Sequence, residues 1–235
     1  MFRSLSFAFL MGVTALSAQA KDDVLDVVSP FELKGKDPIS SGSIFLKMDV
    51  LETLIDAKAD GTLIPGLASG WSVSDENLTW TFTLRDNVRF HDGEVMNGDT
   101  VAQSLNWSKN NGGLLARTPV KSITGEANTV TIELLEPFSM LPAMLVEYRS
   151  AIISPKSIGQ DGNIIDVVGT GPYQVTAFSP PIKMTVQGFN DYWGKAAAIN
   201  KAAYHGISRA ETRALMAESG DADLTLSLDP ASFTR

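Results

Sequence analysis

The sequence predicts a mixed α/β fold, and three observations carry that expectation. Strand-like and helix-like segments alternate through the first part of the chain. Residues 62–150 change character, with two clear period-two runs set around one helix. The last third then returns to strands followed by a single helix and a final strand. Hydrophobic residues make up 44% and charged residues 20% of the 235, ordinary for a globular chain with a sizeable core.

The first element is a leader. Arg3 is followed by an apolar run from Leu5 to Leu16, interrupted only by Ser6, Gly12 and Thr14, and Ala18-Gln19-Ala20 precedes Lys21-Asp22-Asp23. A positive start, a short apolar stretch and a small-x-small site read as a secretory signal peptide over residues 1–20, cut after Ala20. The apolar run is shorter than the about 20 residues a membrane span needs.

Val24 to Val28 is a short β-rich strand, and Gly35-Lys36-Asp37-Pro38 a turn. Ile44, Phe45, Met48, Leu51, Leu54 and Ile55 recur at helical spacing, which predicts an amphipathic helix over 42–55. Asp60-Gly61 is a tight turn. Trp80 to Leu84 and Thr129 to Leu134 alternate with period two and predict strands. Between them, Asn97 and Asp99 open a helix over about residues 100–109 that Asn110-Asn111-Gly112-Gly113 stops. Pro142 suits the first turn of a helix over Leu141 to Glu147.

Ala151-Ile152-Ile153 reads as a short strand. Tyr173 to Phe178 and Lys183 to Phe189 are two more, with Ser179-Pro180-Pro181 as their turn. Ser208-Arg209-Ala210-Glu211 has the form of a capping box, and the helix it opens ends at Gly220. Asp223 to Leu226 is the last strand.

The net charge of −8 argues against a nucleic-acid footprint and against a polybasic membrane patch. No cysteine is present. The fold therefore relies on its core, has no thiolate nucleophile or Cys-ligated metal, and carries no lipidated Cys after the leader.

Four stretches, in this order, resemble the extracellular solute-binding proteins of the peptide/nickel class, family 5. They are Leu51-Glu52-Thr53-Leu54 with Asp60 to Ala68 and Trp71; Trp80 to Gly93, which includes Phe90-His91-Asp92-Gly93; Gly169-Thr170-Gly171-Pro172-Tyr173; and Asn190-Asp191-Tyr192-Trp193-Gly194 with Arg213 and Gly220 to Asp223 downstream. The resemblance implies a periplasmic-binding-protein-like lobe with an inserted α+β subdomain. Residues 21–55 and 150–235 would form the first ligand-binding lobe, and 56–149 the insert. Family members are about twice this length, so the resemblance implies that the second lobe is absent from this chain and that the chain is a truncated form. It also implies a periplasmic protein, monomeric when full length. Such a protein captures a small solute, a peptide or a nickel or other metal chelate, and delivers it to the membrane permease of an ABC importer. No cofactor and no nucleic acid enter this reading.

Most of the shared motifs have a structural explanation in the residues themselves. Asp60-Gly61 and Asp92-Gly93 are turns. Gly169-Thr170-Gly171-Pro172 suits a close backbone crossing, and Tyr192-Trp193-Gly194 an aromatic anchor with bonded polar tips. The resemblance implies ligand contacts from two other segments, Ile39 to Ile44 and Glu147 to Ser150. Arg149 would clamp a ligand carboxylate, unless it is a surface arginine or a partner of Glu147. Ser43 and Ile44 are further candidates, Ser43 also reading as a helix cap, and Arg117 is a fourth. No aromatic stands in Gly112-Gly113-Leu114-Leu115, where nickel binders of the family place one.

His91 reads as a solvated turn residue and His205 as a packed strand residue; one His and one Asp do not make a metal site. The alternative functions are a secreted hydrolase using a serine with His91 and Asp92, and a fragment that binds nothing. Adjacent His and Asp in a turn do not suit a triad.

Overall fold

The computed structural model describes residues 23–227; the leader read from residues 1–20 lies outside them. In chain order the strands are β1 (Val24–Ser29), β2 (Ile55–Ala57), β3 (Leu63–Pro65), β4 (Ala68–Val73), β5 (Thr79–Leu84), β6 (Val120–Glu126), β7 (Thr129–Leu134), β8 (Tyr173–Ser179), β9 (Lys183–Gly188), β10 (Lys201–Gly206) and β11 (Leu224–Thr225). The helices are α1 (Pro38–Lys47), α2 (Gly98–Asn110), α3 (Leu141–Met144) and α4 (Ala210–Ser219).

One sheet has the order β11-β1-β10-β9-β8. β1 runs parallel to β10 and β11, while β10, β9 and β8 are antiparallel neighbours. The parallel pairing sets the first strand beside residues far along the chain. Val27, Met184, Val186, Ala202 and Tyr204 on this sheet pack with Ile44, Phe45 and Met48 of α1 and its end. The second sheet, β4-β5-β7-β6, is wholly antiparallel. Its inward residues Phe82, Leu84, Ile123, Val130 and Ile132 meet Val101, Ala102 and Leu105 of α2. Phe82, Leu105 and Ile132 are completely buried, each burial being worth about 1.5–3 kcal/mol. β2 and β3 form a small separate hairpin.

A seam joins the two cores. Glu52 and Ile152 form an isolated antiparallel bridge, with the Ile152 amide donating to Glu52 O at 2.8 Å. Leu51, Ala151 and Ile153 belong to the core of the first sheet, whereas Leu54, Ile55 and Ile152 belong to that of the second. The crossing segments thus feed both cores in alternation.

That alternation corrects the helix expected over 42–55. The helix starts earlier, at Pro38, where Asp37 caps it by accepting from the Ser40 amide at 2.8 Å, and it ends at Lys47. Leu51, Leu54 and Ile55 keep helical spacing in the sequence but serve two cores from extended chain. Ser43 therefore lies inside α1 and caps nothing. α3 is a single turn, shorter than expected, and Ala151 to Ile153 makes a bridge in place of a full strand. The expected capping box at Ser208 is not formed: Arg209 is the N-cap of α4 without a side-chain bond. The carbonyls of Ile207 and Ser208 instead accept from Arg213 Nη1, both at 2.9 Å.

Candidate functional site

The four family-like stretches converge on the seam. The Glu52 carboxylate accepts from Thr170 Oγ1 at 2.7 Å, Tyr192 OH at 2.9 Å and Trp193 Nε1 at 3.1 Å. Burial pushes its pKa above the ordinary 4.5, against the pull of those three donors. Arg85 lies 4.7 Å over the Trp193 ring and donates from Nε to Gly66 O at 2.6 Å. The glycines at 169 and 171 allow the crossing: an added Cβ would stand 2.2 Å from Val50 O and 2.2 Å from Asp49 O respectively.

His91 also belongs to this cluster, which corrects the solvated turn residue expected of it. Its ring is half-buried, edge-on to Phe189 at 5.0 Å between centroids. Nε2 lies 3.0 Å from Gly171 O, and Nδ1 accepts from the Gly169 amide at 3.2 Å. A hydrolytic triad is not assembled here. Ser154 Oγ donates to Asp92 Oδ2 at 2.6 Å, and both nitrogens of His91 are bonded to backbone. His205 packs in β10 with Nε2 2.6 Å from Asp26 Oδ1. Among the described residues no three His, Asp or Glu side chains converge to hold a metal. No helix among them is long and apolar enough to cross a membrane.

Arg149 occupies a 3-10 turn, Tyr148–Ser150, against α1. The fit is close because residue 42 is glycine: a Cβ there would lie 2.9 Å from the Tyr148 ring and 2.9 Å from its carbonyl. The guanidinium stacks on the Tyr148 ring at 4.8 Å, donates to Tyr148 OH at 2.8 Å and stands 3.5 Å from Glu147 Oε1. Its amide donates to Glu147 Oε2 at 2.9 Å and its carbonyl accepts from Ser108 Oγ at 2.5 Å. The Arg149 side chain remains 33% exposed.

The other candidates scatter. Ser43 is half-buried on α1, Ile44 is 3% exposed inside the first core, and Arg117 is exposed at the end of the 3-10 turn Leu114–Arg117. Two hollows are lined by none of the four. One, of 510 Å³, is an apolar face bordered by Leu25, Val27, Tyr173, Tyr204, Leu224 and Leu226. The other, of 320 Å³, is polar, with Asp49, Glu52, Asp56 and Tyr192 among its lining. Tyr148, which supports Arg149, and Glu52 were legible only weakly. The signal for Glu52 is a lone carboxylate in an otherwise apolar run from Val50 to Ile55, broken besides only by Thr53.

A mixed sheet joined through a two-core seam to a smaller antiparallel unit is the architecture of a periplasmic-binding-protein-like fold, and comparison with known proteins supplies the family. The profile of the bacterial extracellular solute-binding proteins, family 5, middle region, matches residues 62–235. The chain belongs to this family. It is 33% identical over 164 residues to the glutathione-binding protein GsiB of Salmonella typhi, covering 66% of this chain and 32% of that protein. It is 28% identical over 231 residues to the nickel-binding periplasmic protein of Escherichia coli K12, covering 93% of this chain and 44% of that protein. The crystal structure of a nickel ABC transporter protein from Bacillus halodurans superposes with a TM-score of 0.83 at 25% identity, over 91% of this chain and 45% of that one. A periplasmic binding protein, DppA, of Helicobacter pylori in complex with the peptide STSA shares the fold, with a TM-score of 0.77 at 21% identity over 90% and 48%. The chain thus spans less than half the length of each.

Proposed function

We propose that this chain carries the ligand-capturing function of its family, as the periplasmic solute-binding component of an ABC importer for peptides or metal chelates. In this reading residues 1–20 direct export and are removed. Residues 21–55 and 150–235 form the ligand-binding lobe, with 56–149 inserted, and a membrane permease receives the solute. The observation that carries the reading is Arg149, set beside α1 in a chain whose family captures solutes. Its planar fork is held in one pose by Tyr148 yet remains partly open to solvent, which suits two-point binding of a carboxylate. Glutathione and peptides carry carboxylates, as do the amino-acid chelators of nickel. Ser43 and Arg117 remain further candidate contacts in this reading; Ile44, inside the core, contributes by holding α1.

The test is thermal unfolding of the 235-residue chain with glutathione, dipeptides and nickel–histidine chelate. An exposed Arg–carboxylate pair is worth only about 0–1 kcal/mol, so binding no tighter than roughly millimolar is expected. A ligand at about 100 times its Kd stabilises by about 2.7 kcal/mol. The midpoint should rise with at least one of these ligands, without turnover, and the rise should vanish in Arg149→Ala. No shift with any of them, or ligand breakdown, defeats the proposal.

A further inference from the structure

His91 is bonded in a way that only one protonation state allows. The Gly169 amide hydrogen points at Nδ1 across 3.2 Å, so Nδ1 must present a lone pair. Nε2 then carries the ring proton and donates to Gly171 O at 3.0 Å. The His91 amide adds a third bond, to Gly169 O at 2.9 Å. A proton added to Nδ1 sets two N–H groups against each other and removes the Gly169 bond. We propose that His91 is a proton-operated latch: its neutral ring fastens the turn after β5 to the loop 169–171, and the doubly protonated ring releases Gly169.

The surroundings favour the neutral ring. Phe189 meets it without charge. Among the described residues, Asp92 is the carboxylate whose charge acts on the ring in favour of a second proton, and its oxygens are engaged, Oδ1 by the Glu94 amide at 2.9 Å and Oδ2 by Ser154 Oγ at 2.6 Å. Glu94 in turn stands 3.7 Å from Lys156. Across the loop, Thr170 ties to Glu52, whose carboxylate is occupied by three donors. Arg85 is committed to Gly66 O and the Trp193 ring. On the remaining side Asp49 presents its backbone carbonyl to the Tyr173 amide at 3.2 Å. Burial outweighs Asp92 and the Gly171 bond, and lowers the pKa of His91 from the ordinary 6.5.

The sign of the pH effect follows. Below the unfolded value of 6.5, the unfolded chain takes up a proton that the folded ring refuses. Stability is therefore full above that pH, falls as the pH drops toward the lowered folded value, and then levels. Each unit of depression reduces the folded-to-unfolded ratio about tenfold. Because Thr170 sits between the two latched glycines, release of Gly169 also loosens the loop that supplies Glu52 with a donor.

The decisive experiment is heteronuclear NMR of the 235-residue chain titrated from about pH 7.5 to about pH 4.5. Three results are expected: the Nε2–H tautomer at neutral pH, a His91 midpoint below that of a free imidazole, and a Gly169 amide resonance that moves with the same midpoint. An Nδ1–H tautomer, a midpoint at or above the free value, or a Gly169 amide indifferent to the ring overturns the proposal. Urea unfolding of His91→Asn supplies an independent check, because the Asn carbonyl can take the Gly169 amide without titrating. His205 is unchanged in that variant, so the difference from wild type isolates the acid loss due to His91, and the variant itself should lack that loss. An undiminished loss would likewise overturn it.

Discussion

Two polar groups on the same seam are satisfied in different ways. The Glu52 carboxylate draws its donors from positions 170, 192 and 193, more than a hundred residues away, and Thr170 is completely buried. Arg149 is held by its own neighbours, Tyr148 and Glu147, and keeps a third of its side chain in solvent. Breaking the first set strands donors in the interior, which costs about 1–3 kcal/mol for each buried unmet group. Breaking the Glu147 contact costs little, because an exposed pair is worth about 0–1 kcal/mol and water or an incoming carboxylate can replace it. Long-range partners tie Glu52 into the fold, whereas the local, replaceable contacts of Arg149 fit the ligand role proposed for it.

The sharpest way to break that contrast is Glu52→Ala. It removes the acceptor shared by three donors, of which Thr170 is completely buried while Tyr192 and Trp193 are half-buried and can reach water. The expected loss is therefore about 2–4 kcal/mol, read as a drop in the urea midpoint at unchanged slope. A loss no larger than that of Arg149→Ala would put the two clusters on the same footing.

Gly171→Ala should come next. The new methyl would stand 2.2 Å from Asp49 O, a backbone atom that cannot swing aside. Overpacking of this kind costs about 1–3 kcal/mol. Gly70→Ala is the control, since nothing lies within 4 Å of its added Cβ. Equal behaviour of the two variants would show that the crossing does not need its glycine.

Part of this could be seen in advance and part could not. β5 and β7 were legible because Trp80, Phe82 and Leu84, and Val130, Ile132 and Leu134, alternate without interruption. β4 and β6 were not. Each contains a bulge, between Ala68 and Gly70 and between Val120 and Ser122. The extra residue moves the inward positions of β6 to Val120 and Ile123, three apart, and period two is lost. The end of α1 was hidden for another reason: Leu51, Leu54 and Ile55 keep helical spacing while serving two cores, and no local pattern distinguishes one core from two. In the site, Arg149 could be singled out through the family resemblance, but its pose could not, since it depends on Tyr148 and on the fit of α1 allowed by Gly42. The role of His91 was invisible because its partners are backbone atoms of residues 169 and 171, which carry no side-chain signature.

Glu52→Gln sharpens the comparison through pH. In the folded chain burial raises the pKa of Glu52 above its ordinary 4.5. The folded state then binds the proton more tightly than the unfolded one. The ionised group is at its least favourable above the raised value, and stability grows as the pH falls through that value toward 4.5. This limb runs opposite to the one due to His91. Removing it with glutamine should make the acid loss of the chain steeper, in unfolding curves measured across the acid range. A pH profile identical to wild type would show that Glu52 titrates alike in both states.

The smallest expected effect on stability is that of Arg149→Ala. Stacking on Tyr148 and the Glu147 contact together should be worth less than about 1 kcal/mol, because the guanidinium is part-exposed and the ion pair is long at 3.5 Å. The backbone bonds of the turn, from the Arg149 amide to Glu147 and from Ser108 to the Arg149 carbonyl, survive the substitution. Arg149→Lys separates the two uses of the side chain: it keeps the charge and loses both the fork and the flat stacking surface. If the planar fork reads a carboxylate, lysine should retain nearly all of the stability and lose most of the ligand-dependent shift. A lysine variant with the full shift would mean that only the positive charge matters at this position, and the argument from the geometry of Tyr148 and Arg149 would fail with it.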